Sequence, residues 1–223
     1  MATRSRLLPR LARLAERTPL PCWLALRPLL RMALTLQGGI GRSVSAAMRA
    51  GLGEESYHRD YTRLFLDHMV DVAVFSGIAY GQGGADEALR RYWHPDETAL
   101  DVIEQAREAG KGVVMVSPHM MGHELGAAAI TRRVPLVALI RKSPDPQYEA
   151  VKQRWYSAIG LEVVHRPPRD SPTGGLAEIT SALRVLRHNK VLAITPDLLQ
   201  KPGTGVPVRL FGRTCDLPAG AFF

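Results

Sequence analysis

Gly112-Val113-Val114-Met115-Val116-Ser117-Pro118-His119-Met120-Met121-Gly122-His123-Glu124 is the stretch whose reading decides how this 223-residue chain folds. Its first six residues form a short apolar run, suited to a strand buried on both faces of a sheet. Pro118 interrupts that run, and helix-like sequence follows over about residues 124–133. Outward from there the two rhythms alternate: strand over 134–140, helix over 145–159, strand over 161–165, helix over 175–189 and strand over 191–195. On the N-terminal side, Pro95, Asp96 and Glu97 place a proline and acids at the positive end of a helix. Ala99, Leu100 and Ile103 supply its buried face, and Gly110 closes it. Further back, Tyr57, Tyr61, Leu64, Phe65, Val72 and Phe75 recur at helical spacing over 54–80, before the break at Gly81–Gly84.

This alternation predicts an α/β fold, in which βαβ crossovers build a mainly parallel sheet covered by helices on both faces. Ligands of such sheets gather at the carboxyl ends of the strands. The residues that follow Ser117, Ile140, His165 and Thr195 are therefore the first place to look for chemistry.

Composition narrows the classes further. A hydrophobic content of 46% in 223 residues suffices for one α/β domain with a real core. Cys22 and Cys215 stand alone and far apart, which provides neither a disulfide framework nor metal-site spacing. Aromatic residues make up 6% of the chain and are dispersed, so no stacking platform for nucleic acid is expected. The net charge of +8 is confined to residues 1–50, where nine arginines face the single acid Glu16. Apolar residues are interleaved with those arginines, as in Leu7-Leu8-Pro9-Arg10-Leu11-Ala12-Arg13-Leu14 and in Trp23-Leu24-Ala25-Leu26-Arg27. No uncharged run approaches the ~20 apolar residues that span a bilayer. The pattern predicts a helical, membrane-associating arm over 1–50 that lies on an anionic surface, followed by an α/β domain over 51–223. An organelle transit peptide and a plain solvated arm are the competing readings of the same arginines.

His119 and Glu124 are the first candidates for catalysis. On one straight helix, five residues would separate them by ~140°. Across a strand–turn–helix junction both can face one crevice, where a carboxylate fixes the imidazole tautomer and the imidazole accepts a proton from a hydroxyl. A loop histidine without a task, beside an acid stabilising a helix start, fits the same spacing. By spacing alone both readings stand.

The block from Gly112 through Glu124 to Leu125-Gly126 resembles the signature of the bacterial lipid A biosynthesis acyltransferases, the lauroyl and myristoyl transferases and their glycolipid-acylating relatives. Their pattern is an apolar strand, then His, four residues and an acid, often with Gly-Asn-Trp before that acid. This chain has Gly122 there, and His123 in place of the Trp. Ala138-Leu139-Ile140-Arg141-Lys142 is similar to the family's strand ending in a basic residue. Arg154, ahead of Gly160, falls where the family places a functional arginine. Ala193-Ile194-Thr195-Pro196-Asp197 resembles its strand-Pro-Asp block, with Leu198 where Gln is usual, and Val206-Pro207-Val208-Arg209-Leu210-Phe211-Gly212-Arg213 resembles its Phe-Gly-Arg segment. Four blocks stand in the family's order, and the resemblance runs from about residue 55 to the end of the chain.

The resemblance implies an O-acyltransferase that needs no cofactor beyond its acyl thioester co-substrate, carried on acyl carrier protein or coenzyme A. His119 would be the general base and Glu124 its orienting acid. Arg141 and Arg154 would hold a phosphate or oxyanion, and Asp197 would support the site from another strand end. For Arg154 a solvated helix position, and for Asp197 a turn after Pro196, are the bland alternatives. The implied partners are the acyl donor, a glycolipid acceptor such as a lipid A precursor, and the anionic cytoplasmic face of a bacterial inner membrane. Family members continue beyond Pro218-Ala219-Gly220-Ala221-Phe222-Phe223, so the domain is expected to be incomplete at that end. Two other functions stay open at this point. One is a metal-dependent hydrolase using His119, His123 and Glu124, whose order matches neither His-Glu-x-x-His nor its inverse. The other is a non-catalytic membrane-surface binding protein.

Overall fold

The computed structural model describes residues 95–120, 123–166, 174–196, 205–210 and 212–217, with shorter pieces at 18, 22, 25–29, 31–32, 46, 49, 60–68, 70–71, 86–87, 89–90 and 203. The chain divides into two compact units, one of Met1–Thr18 and Phe75–Thr195, the other of Pro19–Val74 and Pro196–Phe223.

The first unit is an α/β layer structure. Its elements run α1 (Glu97–Glu108), β1 (Val113–Val116), α2 (His123–Ile130), β2 (Leu136–Arg141), α3 (Pro146–Ile159), β3 (Glu162–Arg166), α4 (Gly174–Arg187) and β4 (Val191–Ile194). The four strands are parallel in the order β1-β4-β2-β3, so the last strand slots between the first two. Helix starts are where the acids and prolines predict them. The Asp96 carboxylate accepts the Thr98 N–H at 3.0 Å and caps α1. Asp145 does the same for α3, accepting from Gln147 N at 2.9 Å and Tyr148 N at 3.3 Å, with Pro146 opening the helix.

Strand register sorts the apolar residues into two layers. Val113, Val191 and Leu136 share one row, and Val114, Leu192 and Val137 the next, on opposite faces of the sheet. On the first face, buried Val134, Leu136 and Val191 pack with Ile103 of α1 and with Ala127 and Ile130 of α2. On the second, Val137, Leu192 and Val185 pack with Ala182 and Leu186 of α4. The expectation that the first strand is buried on both faces does not hold. β1 is an edge strand, and Val114 and Val116 are 44% and 50% exposed. α4 packs on β3 and β4.

Three local contacts tie the helices to the sheet and to one another. Asn189, at φ +53, ends the α4–β4 turn. Its carbonyl accepts from Arg107 Nε at 2.9 Å and its side-chain oxygen from Gly112 N at 3.0 Å, tying α1, β1 and β4 together. Gly112 sits at φ +73 so close to α4 that a Cβ there would lie 2.7 Å from both Leu186 Cα and Leu186 O. Arg133, in the turn after α2, reaches Glu97, Asp101 and Glu104 of α1, each at 2.7 Å. Its hydrogen bond and positive charge hold the Glu104 carboxyl below its ordinary value, and the Glu104 and Asp101 carboxylates raise Arg133.

In the second unit, residues 25–29, 31–32, 60–68 and 70–71 are helical. Arg27 pairs with Asp71, and Arg31 lies 3.2 Å from Asp67. Two arginines of the basic arm are thus engaged within the protein. β5 (Val206–Leu210) and β6 (Arg213–Leu217) form an antiparallel hairpin, with Val206 opposite Leu217 and Leu210 opposite Arg213. Among the described residues, no helix is long and apolar enough to cross a membrane.

Candidate active site

The carboxyl ends of β1, β4 and β2 lie side by side, the edge at which ligands of parallel sheets gather. Ser117 N donates to Ile194 O at 3.0 Å, so the chain leaves the sheet at Pro118. Proline cannot continue the ladder, and it throws the following residues off the sheet edge. The turn then tightens on itself: Met120 N donates to Pro118 O at 2.8 Å and His123 N to Met120 O at 3.2 Å. His123 Nδ1 also lies 2.8 Å from Met120 O, so its protonated form there donates to that carbonyl and clamps the start of α2. His119 is exposed at the tip of this turn. Its ring meets that of His123 edge to face, with centroids 5.5 Å apart.

Glu124 is the second residue of α2, which puts its backbone in the first helical turn beyond His119. Its side chain and Asp197 lie outside the described residues. Arg141 is the last residue of β2, exposed, and paired in register with Arg166 of β3. Because β4 lies between β1 and β2, Arg141 stands two strand spacings, ~10 Å, from the β1 end. Arg166 is held by Glu178 of α4 at 3.0 Å. Arg154 is exposed midway along α3, which begins at this edge and runs away from it. Its place is ~12 Å below the edge by helical rise. The structure thus gathers the backbones of His119, Glu124 and Arg141 at one edge and sets Arg154 back from it.

Sequence reasoning missed a group beside them. Glu149, in the first turn of α3, is 5% exposed yet ionisable. Its carboxylate accepts from Ser143 N at 2.7 Å, Gln153 Nε2 at 2.8 Å and Lys152 Nζ at 3.3 Å. Burial alone would raise its pKa. The Ser143 N–H, the Gln153 amide and the Lys152 ammonium outweigh that and hold it down at about 2. Lys152 Nζ also donates to Arg141 O at 3.3 Å, and the Gln153 amide lies 3.1 Å from His165 Nε2. An acid in a first helical turn reads from sequence as a partner of the helix dipole. The signal that would have singled it out is Lys152 and Gln153 at i+3 and i+4, with His165 on the next strand.

An exposed imidazole at a strand end, on a turn that leads into a helix whose second residue is a carboxylic acid, has the parts of a general base and its orienting group. Basic side chains at a neighbouring strand end can attract an anion. Among the described residues, no group of three or more His, Cys, Asp or Glu side chains is arranged to hold a metal ion. The family model described as bacterial lipid A biosynthesis acyltransferase matches residues 86–221, more than half of the chain, including the six strands among the described residues. Comparison with curated proteins finds no match.

Proposed function

The chain belongs to the bacterial lipid A biosynthesis acyltransferase family, and from that premise we propose that it moves a fatty acyl group from an acyl thioester to a hydroxyl of a glycolipid. The observation that carries this reading is His119, exposed on the turn between the end of β1 and an α2 that begins His123-Glu124. His119 removes the proton from the acceptor hydroxyl as its oxygen attacks the thioester carbonyl. A C–O bond forms, the C–S bond breaks, and the proton passes from the imidazolium to the departing thiolate. The enzyme itself is never acylated. Glu124 fixes the imidazole tautomer and stabilises the imidazolium. Arg141 holds an anionic group of the acceptor, and Arg154 and Asp197 support the site. The reaction needs no cofactor besides the acyl thioester.

The donor is acyl carrier protein or coenzyme A. The basic residues 1–50 bring the enzyme to the anionic cytoplasmic face of the inner membrane, where the acceptor lies. The test is direct. Purified full-length protein, a radiolabelled acyl thioester and a lipid A precursor in mixed micelles should give a labelled lipid that is stable to hydroxylamine at neutral pH and cleaved by base, as an ester is. Release of free fatty acid with no labelled lipid would point to a thioester hydrolase instead.

A further inference from the structure

Glu149 touches none of the residues proposed for the reaction, yet it holds, directly or through Lys152, both ends of the segment that presents Arg141 and the exposed Lys142 beside it. On one side its carboxylate accepts the Ser143 N–H at 2.7 Å. On the other it lies 3.3 Å from Lys152 Nζ, and that ammonium donates to the Arg141 carbonyl at 3.3 Å. The three-residue segment Arg141-Lys142-Ser143 is therefore gripped before and after Lys142, with the side chains of Arg141 and Lys142 both exposed. The grip is itself rigid. Glu149 is buried, it also accepts from Gln153 at 2.8 Å, and Lys152 is boxed between the Tyr148 and Tyr156 rings, 5.9 Å from each centroid.

A surface loop has no need of a buried carboxylate with three donors. Such an arrangement is costly to bury and is justified where a backbone must be held in one geometry. Two exposed cations one residue apart repel each other, and left to themselves they would splay the turn. We infer that Glu149 is a positioning residue for acceptor binding: it braces the Arg141-Lys142-Ser143 turn so that both cations address one phosphate group of the acceptor lipid.

This inference rests on the proposed acyl transfer, and its test has an arm that does not. Three full-length proteins are compared: the parent, Glu149→Gln and the milder Lys152→Met, which removes the Arg141 arm but leaves Glu149 bonded to Ser143 and Gln153. Amide hydrogen exchange should show about tenfold faster exchange at residues 141–145 in Glu149→Gln, with 136–140 unchanged. Acyl-transfer kinetics should show the acceptor KM raised about tenfold in both variants, and kcat within about twofold of the parent. With an acceptor whose phosphates have been removed, parent and variants should have the same KM. Unchanged exchange in Glu149→Gln overturns the brace, as does a fall in kcat at constant acceptor KM. An equal KM rise on the dephosphorylated acceptor overturns the phosphate assignment. A parent protein that transfers nothing counts against the functional reading alone, and the exchange result then decides the brace by itself.

Discussion

Replacing Gly112 by alanine should destabilise the first unit far more than one methyl group suggests. Gly112 sits at φ +73, where an L-residue costs ~1–2 kcal/mol. The new Cβ would also lie 2.7 Å from Leu186 Cα and O, and both are backbone atoms that cannot rotate aside. Relief requires α4 to move off the sheet, against the Val137–Val185–Leu192 core, and overpacking of that kind costs a further ~1–3 kcal/mol. The total of ~2–5 kcal/mol is a large part of the ~5–15 kcal/mol that stabilises a typical domain. Gly110 is the internal control, because it has φ +70 and nothing within 4 Å of its Cβ. Gly110→Ala therefore carries the backbone cost without the clash. Urea denaturation followed by tryptophan fluorescence and by far-ultraviolet dichroism gives both free energies. Equal losses in the two variants would refute the claim that α4 is clamped against the start of β1.

Acid should weaken the fold through Glu149. Its folded pKa of about 2 lies below the ordinary value of 4.5, so its contribution is complete above about 4.5 and lost as pH falls towards 2. The melting temperature of the parent should drop more steeply from pH 5 to pH 3 than that of Glu149→Gln, and parallel curves would dismiss this source. Arg133→Met should loosen α1, lowering the melting temperature at low salt and less so in 1 M salt, because the cluster is partly exposed. A loss independent of salt would assign the effect to packing. The protein should leave anionic vesicles in high salt, or when residues 1–50 are deleted, whereas release by detergent alone would make the arm an integral anchor.

The α/β alternation was legible because strand and helix leave different periods in the sequence. Asp96, Pro146 and Gly160 mark helix ends wherever they fall. Sheet order was not legible. Nothing in Val113-Val114-Met115-Val116 says that β4 will intervene before β2, so an apolar strand that ends on an edge looks the same as a central one. The spacing of His119 and Glu124 left two readings open, and it was the resemblance to a family block that singled the pair out. Glu149 could not be read, since its three donors come from Ser143, Lys152 and Gln153, and its place beside Arg141 exists only once α3 has packed on β3.

The assignment of His119 as general base is tested most directly by acyl transfer from a thioester to a glycolipid hydroxyl in His119→Ala, His123→Ala and the parent, each with and without chelator. His119→Ala should fall by ~10²-fold or more, the scale for losing a positioned base. His123→Ala should fall much less, because His123 Nδ1 is already committed to the Met120 carbonyl, and chelator should change nothing. Activity that survives in His119→Ala, or that disappears on chelation and returns with zinc, would contradict the account.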